Sequence, residues 1–406
     1  MSDLASSFQT DSRRTDDPSS LPRIRVLHVQ NGRKYGGIQR MLVCLAAERG
    51  QASGMEPVFA LCFAEKLAGE LAATGARVEV LGPVRMSRPW QILRAGFALW
   101  KLLGREEFAA VVCHGSWPLA VFGVVAHLRR IPLVLWMHNN ADPANRSAGE
   151  LLAARMRPDL VICNSAFTAS TLPVLFKRPP PHIVLPCPVS PPSRAFAPDE
   201  VRAELRRELS TPGTDVVIIL VGRPEAWKGH TVLLAALEHL RTTPGWTAWL
   251  VGGAFDAAQE QFLAGLRTSA ESKHIADRVR FLGQRGDVPE LLASADLFCQ
   301  PNLSPEPFGI VFIEALQAGL PVVATDHGGA REIVDPSCGR LVPPGDAVAL
   351  AAALEELIKS SALRWKLCQQ APARAEAISG PAHLLPRIHS VLCGARRPAI
   401  STGSHE

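Results

Sequence analysis

The sequence predicts an α/β protein of two domains, each built on a doubly wound parallel sheet. Short apolar segments alternate with helical patterns along most of the chain, as in parallel sheets that carry helices on both faces. A proline-rich segment at residues 184–198 interrupts this alternation, which starts again at residue 216. In addition, a chain of 406 residues exceeds what a single hydrophobic core usually serves. We therefore expect residues 184–198 to link two domains that face each other across a cleft.

The first half contains a series of strand and helix patterns. Helices are predicted at residues 64–74 and 90–103, and strands at residues 23–30, 57–62, 77–81, 109–113, 132–137 and 160–163. Residues 108–128 contain no Asp, Glu, Lys or Arg and are long enough to span a bilayer. Because polar and helix-breaking residues interrupt this segment at 113–118, we interpret it as a strand, a loop and a helix.

A glycine-containing loop joins the first strand to a helix that is predicted over residues 41–49. Gly36 and Gly37 in this loop let the backbone approach a ligand closely, and the start of the helix can receive a phosphate. The segment is neither a G-x-G-x-x-G nor a Walker A sequence, so the glycine pair alone is a weak indication.

Two histidines follow strands of the predicted first sheet. His114 comes after the strand at 109–113, and His138 directly follows the strand at 132–137. Ligands of doubly wound sheets bind beyond the carboxyl ends of the strands, although a histidine there is more often a structural residue. We favour a ligand role for His138 and leave both interpretations open for His114. Ser165 follows another strand and is expected to cap the next helix.

The charge of the chain is unevenly distributed. Residues 1–190 carry 22 basic and 14 acidic side chains, a net charge of +8, whereas residues 191–406 carry 21 and 24, a net charge of −3. A basic first half suits anionic acceptors or an anionic membrane surface, and a solvated basic surface explains it equally well. The helix predicted over residues 90–103 is amphipathic, and we prefer packing on the sheet to binding at a membrane surface for it.

The second half places two cations at a strand-to-helix junction. Arg223 and Lys228 flank a short loop after a strand predicted at 216–222, where such side chains can clamp a diphosphate. As solvated charges they would be unremarkable. Further strands are predicted at 246–251, 279–282, 296–300, 321–325 and 340–343, and helices at 199–209, 231–240, 347–360 and on to about residue 393.

Residues 301–334 hold the most informative pattern, in which Glu306 and Glu314 are spaced E-x7-E. A helix is predicted to begin between them, near Phe308 or Gly309. The free N–H groups of its first turn and the helix dipole favour an anion or a polar sugar in front of it. The two carboxylates would lie roughly 8–12 Å apart, so they could reach both ends of an extended ligand. Either Glu alone would be interpreted as a solvated or dipole-favoured carboxylate; the whole segment favours a site.

Nine cysteines occur singly, with no C-x2-C pair among them. An odd number of thiols in apolar, strand-like settings indicates reduced, buried cysteines and a cytosolic protein, not a disulfide framework or a zinc site. The first 22 residues are polar and lack the apolar run of a secretory signal, so we expect a disordered tail there. No D-x-D occurs, which gives no support for a metal held by paired aspartates.

These features together fit a nucleotide diphosphate that carries a sugar. Cations would neutralise the diphosphate, and two carboxylates would accept hydrogen bonds from ribose or sugar hydroxyls. Without a metal, cationic side chains and the helix dipole would have to stabilise the departing charge.

The combined pattern resembles the retaining glycosyltransferases of family 4, also called glycosyl transferases group 1, which have the GT-B fold. The similarity is strongest over residues 216–344 and weaker over residues 24–165. Its most specific part is Glu306 to Glu314 with P-F-G between them, followed by EALQAGLPVVATDHGGAREIV. GRPEAWKG, FLGQRGDVPELLASADLFCQP and the pair Gly36-Gly37 with Arg40 extend it.

The resemblance implies two Rossmann-like, doubly wound parallel-sheet domains that face a central cleft. It also implies the metal-independent transfer of a hexose-type sugar, with retention, from a UDP- or GDP-linked donor to a polysaccharide, glycolipid or lipid-linked acceptor. No cofactor is implied. Glu306 and His138 would be the catalytic residues, Arg223 and Lys228 would hold the diphosphate, and Glu314 would bind the ribose. The donor-binding residues would be Gly36, Gly37, Arg223, Lys228, Phe308, Gly309, Ile310, Val311 and Glu314.

The resemblance also divides the chain into segments. Residues 1–22 would be a tail, residues 23–190 an acceptor-binding domain and residues 191–380 a donor-binding domain. Residues 381–406 would form a helix that packs back on the first domain, followed by a tail. We expect a cytoplasmic protein, at the inner face of an anionic membrane if it binds membranes, and no nucleic-acid partner.

Some residues depart from the family pattern. Residues 184–190 replace the usual asparagine-glycine-valine turn, which leaves the linker geometry open, and Trp227 and Asn302 could reshape the pocket. Two alternatives stay open. A GT-B-like sugar-nucleotide epimerase would need acid/base residues for proton abstraction, and a non-catalytic sensor would bind a donor without turnover. A glycosidase fits less well because it would not need a diphosphate clamp.

Overall fold

The computed structural model describes residues 21–33, 36–143, 147–192 and 199–395, and within them it shows two parallel sheets. The first sheet has seven strands in the order β3-β2-β1-β4-β5-β6-β7. These strands are β1 (Ile24–Gln30), β2 (Met55–Leu61), β3 (Arg77–Val80), β4 (Ala110–His114), β5 (Leu133–Met137), β6 (Leu160–Cys163) and β7 (His182–Val184).

The second sheet has six strands in the order β10-β9-β8-β11-β12-β13. They are β8 (Val216–Val221), β9 (Trp246–Val251), β10 (Val279–Gly283), β11 (Leu297–Gln300), β12 (Val322–Thr325) and β13 (Gly339–Val342). In both sheets the strand order reverses at one point, between β1 and β4 in the first and between β8 and β11 in the second. Loops that leave the carboxyl ends of strands at such a point form the usual ligand crevice of the fold.

Helices connect the strands and cover both faces of each sheet. In the first domain they are α1 (Gly37–Ala47), α2 (Lys66–Ala73), α3 (Pro89–Arg105), α4 (Ser116–Leu128), α5 (Ala148–Ala153), α6 (Ala166–Ser170) and α7 (Leu172–Leu175). The remaining helices are α8 (Asp199–Glu208), α9 (His230–His239), α10 (Ala257–Ser272), α11 (Val288–Ser294), α12 (Ile310–Gln317), α13 (Ala330–Ile333), α14 (Ala347–Lys359), α15 (Ser361–Ser379) and α16 (Pro381–Gly394).

Most strands are buried on both faces, which is why they appear as continuous apolar runs in the sequence, whereas the edge strands β3 and β7 are partly exposed. One cluster of buried side chains extends from the first sheet into the second and includes Trp136, Phe298 and Ile313. Ile388 on α16 belongs to the same cluster. The two domains therefore share part of their core.

Helix α16 returns to the first domain. It contacts the short helical turn Arg49–Ala52, and His389 Nε2 lies 3.0 Å from the carbonyl oxygen of Pro22. The backbone N–H of Val189 donates to the carbonyl of Ser379 at 2.9 Å. These contacts fix part of the segment that was predicted as a linker, while residues 193–198 and the predicted tail residues 1–20 lie outside the described ranges.

Two sequence predictions need correction. Helix α1 begins at Gly37 and not at residue 41, because the apolar period already starts at Ile38 and continues through buried Met41 and Leu45. The low helix propensity of glycine concealed this first turn. Strand β7 was not predicted, because three residues with partly exposed side chains are too short to show a period.

Other predictions are confirmed. Residues 108–128 form β4 and α4 with a turn between them, and none of the helices described is both long and apolar enough to cross a bilayer. All nine cysteines are unpaired, and seven of them are buried. Ser165 caps α6, with its Oγ accepting from the N–H of Thr168.

Candidate functional site

The loop between β11 and α12 holds Glu306 in a defined position. Its Oε2 accepts hydrogen bonds from Lys228 Nζ at 2.7 Å and from Asn302 Nδ2 at 3.0 Å. The side chains of Lys228 and Glu306 are only 14% and 16% exposed, so solvent screens this ion pair weakly. A cation and a carboxylate are thus paired where the loops after β8 and β11 meet.

Asn302 links Glu306 to the end of strand β11. Its Oδ1 accepts from Gln300 Nε2 at 3.0 Å, and its backbone carbonyl accepts from Thr325 Oγ1 at 2.9 Å. His327 Nε2 lies 3.0 Å from the same carbonyl oxygen. Sequence reasoning noted Asn302 only as a departure and missed Gln300, although a polar residue that ends a buried strand is a usable signal.

The turn at Gly328 and Gly329 packs against the loop that holds Glu306. The N–H of Gly329 donates to the carbonyl oxygen of Glu306 at 2.8 Å. Gly328 has φ +60°, and a Cβ at this position would come within 2.6 Å of the same oxygen. This turn therefore requires glycine at position 328 for its conformation and for its close approach to Glu306.

Arg223 lies in the loop after β8 but has no described contact with Glu306. Its Nη1 pairs with Glu225 Oε1 at 2.9 Å, and the side chain is 49% exposed. Glu225 also accepts from the indole N–H of Trp227 at 2.8 Å, and Lys228 Nζ lies 3.9 Å from the centre of that ring. Arg223 and Lys228 are therefore connected through Glu225 and Trp227 and do not touch each other in the structure.

Glu314 on α12 forms an ion pair across the domains. Arg40 Nε on α1 lies 2.6 Å from Glu314 Oε1, in an approach that is not aligned as a hydrogen bond. Burial raises the pKa of the Glu314 carboxyl, and Arg40 opposes this rise only in part. Arg40 entered the sequence analysis only as part of the resemblance, with no partner assigned.

The starts of two helices meet beside this pair. Neither Gly36 before α1 nor Gly309 before α12 supplies a side-chain cap to the free N–H groups of the helix. A Cβ added to Gly37 would lie 3.2 Å from Ile310 Cδ1, so only a residue without a side chain fits without displacement. Two positive dipole ends thus converge, as suits an anion.

The two domains also contact each other through α6. Ser165 Oγ and Thr168 Oγ1 both donate to the carbonyl oxygen of Pro307, at 2.5 and 3.2 Å. The carboxylate of Glu332 accepts from the N–H groups of Ala166 and Phe167, both at 2.9 Å. Glu332 was not recognised in the sequence, because its partner lies in the other domain.

His138 stands at the end of a row of three buried histidines. His114 Nδ1 lies 3.0 Å from His138 Nε2, and His114 Nε2 lies 2.9 Å from His28 Nδ1. Burial lowers the pKa of His28 and of His138 to about 3 and that of His114 well below its usual value. His114 is therefore a hydrogen-bonded neighbour of His138, and His28 was missed because it lies inside a strand.

A chain of contacts connects His138 to Glu306. Asn164 Nδ2 donates to the carbonyl oxygen of His138 at 3.2 Å, and the next residue, Ser165, contacts Pro307 beside Glu306. Direct contacts join the predicted residues Lys228 and Glu306, and also Gly37 and Ile310, while Glu314 pairs with Arg40. Gly36, Phe308, Gly309 and Val311 adjoin these residues in the chain. Arg223 and His138 join this group through intermediates.

The site lies between two carboxylates, two cations and two helix starts. Within the described ranges, no group of three His, Cys, Asp or Glu side chains is placed to hold a metal ion. The arrangement can bind an anion at the helix starts and hydroxyl groups at the carboxylates.

Two parallel-sheet domains that meet at this cleft define the GT-B fold of glycosyltransferases, as the sequence predicted. The crystal structure of Anabaena HepE in complex with UDP-glucose has the same fold, with a TM-score of 0.80, 24% sequence identity and coverage of 91% of this chain and 100% of that chain. Residues 201–374 match the family model described as Glycosyl transferases group 1, and residues 35–191 match that of Glycosyltransferase Family 4. Together the two matches cover most of the chain, which belongs to the family 4 glycosyltransferases, also called glycosyl transferases group 1.

Curated relatives match parts of the chain. A phosphatidyl-myo-inositol mannosyltransferase from Mycobacterium leprae is 37% identical over 171 residues, which cover 41% of this chain and 43% of that protein. A D-inositol 3-phosphate glycosyltransferase from Salinispora tropica is 29% identical over 331 residues, which cover 78% of this chain and 66% of that protein. The match thus spans less than half of the first relative and about two thirds of the second.

Proposed function

We propose that this protein is a retaining glycosyltransferase that moves a hexose from a nucleotide-diphosphate sugar to a polysaccharide, glycolipid or lipid-linked acceptor. One observation carries the proposal: the loop that holds Glu306 against Lys228 leads into the uncapped start of α12, and this helix start meets the start of α1 beside the Arg40–Glu314 pair. Family membership supports the activity, and the names of the relatives support a sugar donor and a lipid-linked or inositol-containing acceptor.

The donor is assigned to the second domain. Lys228 and the N–H groups at the start of α12 would bind the diphosphate, because both supply positive charge to the same place. Arg223 would have to leave Glu225 to join them, and its exposed side chain leaves room for that movement. Glu314 would accept hydrogen bonds from the ribose. The UDP-glucose complex of HepE supports a UDP-linked sugar, and a GDP-linked sugar is the other candidate.

Transfer would take place beside Glu306 and His138. Glu306 would bind the hydroxyls of the donor sugar, and the acceptor would attack on the face from which the diphosphate leaves. The leaving phosphate oxygen would take the proton of the acceptor hydroxyl, which balances the charge without a separate base. Lys228 and the helix starts would stabilise the departing charge without a metal.

The acceptor side of the proposal includes contact with an anionic membrane. Helix α3 buries Leu99 against the first sheet, but Trp90, Leu93 and Phe97 are 62%, 74% and 59% exposed on its other side. Lys101 Nζ lies 4.5 Å from the ring centre of Phe97. An exposed apolar face with adjacent cations suits the interface of anionic lipids.

Co-sedimentation with vesicles tests this membrane contact. A variant with Leu93→Ser and Phe97→Ser should lose binding to phosphatidylglycerol vesicles, whereas Phe255→Ser, which changes an equally exposed apolar side chain in the second domain, should not. The proposed contact with an anionic membrane would be contradicted if the wild type and the two variants bound the vesicles equally. It would also be contradicted if the wild type bound only neutral vesicles.

The transferase activity is tested by a screen of UDP-, GDP- and ADP-sugars with a lipid-linked acceptor pool. Nucleoside diphosphate should be released in step with a glycosylated product, and the anomeric configuration of the product should match that of the donor. Release without an acceptor, inversion, or binding without turnover would each remove part of the proposal.

Calorimetry tests the site assignment. Lys228→Ala and Glu314→Ala should each weaken donor binding by about 1–3 kcal/mol, the loss of a hydrogen bond to a charged group. Lys273→Ala, which removes a cation that follows α10 and pairs with Glu238 on α9, is the matched control and should bind the donor like the wild type. Unchanged affinity in both site variants would exclude the site.

A further inference from the structure

His28, His114 and His138 form a row across three neighbouring strands of the first sheet. The sheet order places β1, β4 and β5 side by side, and each ring offers one nitrogen to the next. The ring centres are 5.2 and 5.3 Å apart and the ring planes differ by 29° and 19°. The rings therefore meet edge to edge, with one hydrogen bond at each junction.

Such a row has a direction. A neutral imidazole has one N–H donor and one bare nitrogen, so the central His114 must donate at one junction and accept at the other. Either both protons point from His28 towards His138, or both point the other way. The direction decides which nitrogen of His138 carries its proton.

The buried end of the row distinguishes the two directions. Among the described residues, His28 Nε2 has no hydrogen-bond partner and is inaccessible to solvent. If the protons pointed towards His28, this nitrogen would be a buried N–H without an acceptor. In the opposite direction it is a bare lone pair, and an unused acceptor is the better-tolerated defect in protein interiors.

We propose that His28 and His114 are positioning residues that hold His138 in the Nδ1–H tautomer, so that His138 donates a hydrogen bond to the sugar and does not act as a base. His114 Nδ1–H occupies the Nε2 lone pair of His138, which leaves Nδ1 as its remaining polar atom. Nδ1 has no hydrogen bond to any described residue of the chain.

The surroundings keep the row neutral and fixed. His28 stacks beside Phe59 at 5.5 Å, and His114 and His138 lie beside the buried ring of Trp136 at 5.5 and 5.9 Å. Burial lowers the pKa of each histidine, so the row carries no charge near neutral pH. A proton that entered at His138 could not leave at His28, which means that the row cannot serve as a proton wire.

The test is ¹⁵N NMR of the full chain with labelled histidine side chains, with His138 identified by the signals lost in His138→Gln. We expect a protonated Nδ1 and a bare Nε2 for His138. A protonated Nε2 in the wild-type protein would overturn the proposal. This measurement needs no substrate, so its outcome is independent of the proposed transferase function.

Two substitutions of His28, one to an amide and one to a carboxyl side chain of the same shape, test the direction of the hydrogen bonds in the row. In His28→Asn the amide N–H can replace Nδ1–H, and the tautomer of His138 should be retained. In His28→Asp an ionised carboxylate can only accept, which should reverse the row and move the proton of His138 to Nε2. The variant is measured at a pH at which ¹³C NMR shows the introduced carboxyl ionised and ¹⁵N NMR shows His114 neutral, and retention of Nδ1–H in the folded protein under these conditions would refute the role of His28.

The kinetic consequence rests on the proposed transferase function. His28→Asp should lower kcat about tenfold, the effect of one misplaced hydrogen bond, with donor affinity within about twofold of the wild type. His28→Asn should restore kcat. His389→Asn, which changes another buried histidine at the contact with Pro22, should leave both the His138 tautomer and kcat unchanged. A fall in kcat with an unchanged tautomer would assign His28 a structural role only.

Discussion

Glu332 caps a helix of the opposite domain, and its removal should loosen the contact between the domains. Its two carboxylate oxygens accept from the N–H groups of Ala166 and Phe167, both at 2.9 Å, in the first turn of α6. In Glu332→Ala these two donors lose their partners. The position of the segment itself does not depend on the carboxylate, because Arg374 holds the backbone carbonyls of Glu332 and Ile333 at 2.8 and 2.9 Å.

The magnitude follows from the two bonds. Loss of a helix cap costs about 0.5–2 kcal/mol, and loss of a negative charge beside the helix start adds about 0.3–1 kcal/mol. The total of about 1–3 kcal/mol should increase local opening roughly 5- to 150-fold. Glu332→Gln retains one acceptor oxygen and should show about half of this free-energy change.

Hydrogen exchange measured on the peptide that covers residues 166–167 reads this opening directly. Exchange should accelerate in Glu332→Ala, less in Glu332→Gln, and not in Asp326→Asn, which removes only an exposed pair with Arg331. Identical protection of residues 166–167 in Glu332→Ala and the wild type would refute the capping argument.

Two further predictions concern the two carboxylates of the site, Glu306 and Glu314. Gly328→Ala should cost about 1–3 kcal/mol of stability and weaken donor binding, since its Cβ would displace the Glu306 carbonyl; Gly345→Ala has a similar φ of +74° without this clash and should keep donor affinity. Equal donor affinity in both variants would contradict the role of the turn. Glu314 has a raised pKa in the folded protein, so its stabilising contribution is present below its ordinary pKa of 4.5 and is lost as pH rises through the raised value. The Tm of Glu314→Gln should therefore rise relative to that of the wild type as the pH is raised from 4.5 to 8. A fall of this relative Tm would show that the pair with Arg40 outweighs desolvation.

The fold was predictable because parallel strands leave a strong local signal. Residues 216–221 and 246–251 are apolar throughout, since both faces of β8 and β9 are covered. Boundaries were less accessible where glycine or a short length weakens the signal, as at the start of α1. The linker could not be delimited either, because the packing of Val189 against Ser379 depends on a distant part of the chain.

The residues of the candidate site were predictable, whereas most of their partners were not. Glu306 and Lys228 follow strand ends at a junction that the sequence pattern identifies. The pairing of Arg40 with Glu314 joins two domains and leaves no local trace. His28 lies inside β1 with apolar neighbours, and only the order of the strands places it beside His114.

The paired carboxylates suggest how donor binding and domain position are connected. Under the proposed function, a diphosphate bound to Lys228 would compete with Glu306 for this cation, so Glu306 would become free for sugar hydroxyls when the donor arrives. A ribose bound to Glu314 would compete in the same way with Arg40, which belongs to the first domain. Because Arg40 stands on the helix whose start meets Ile310, releasing it alters a contact between the domains. We therefore expect donor binding to change the relative position of the domains through the release of Arg40 from Glu314.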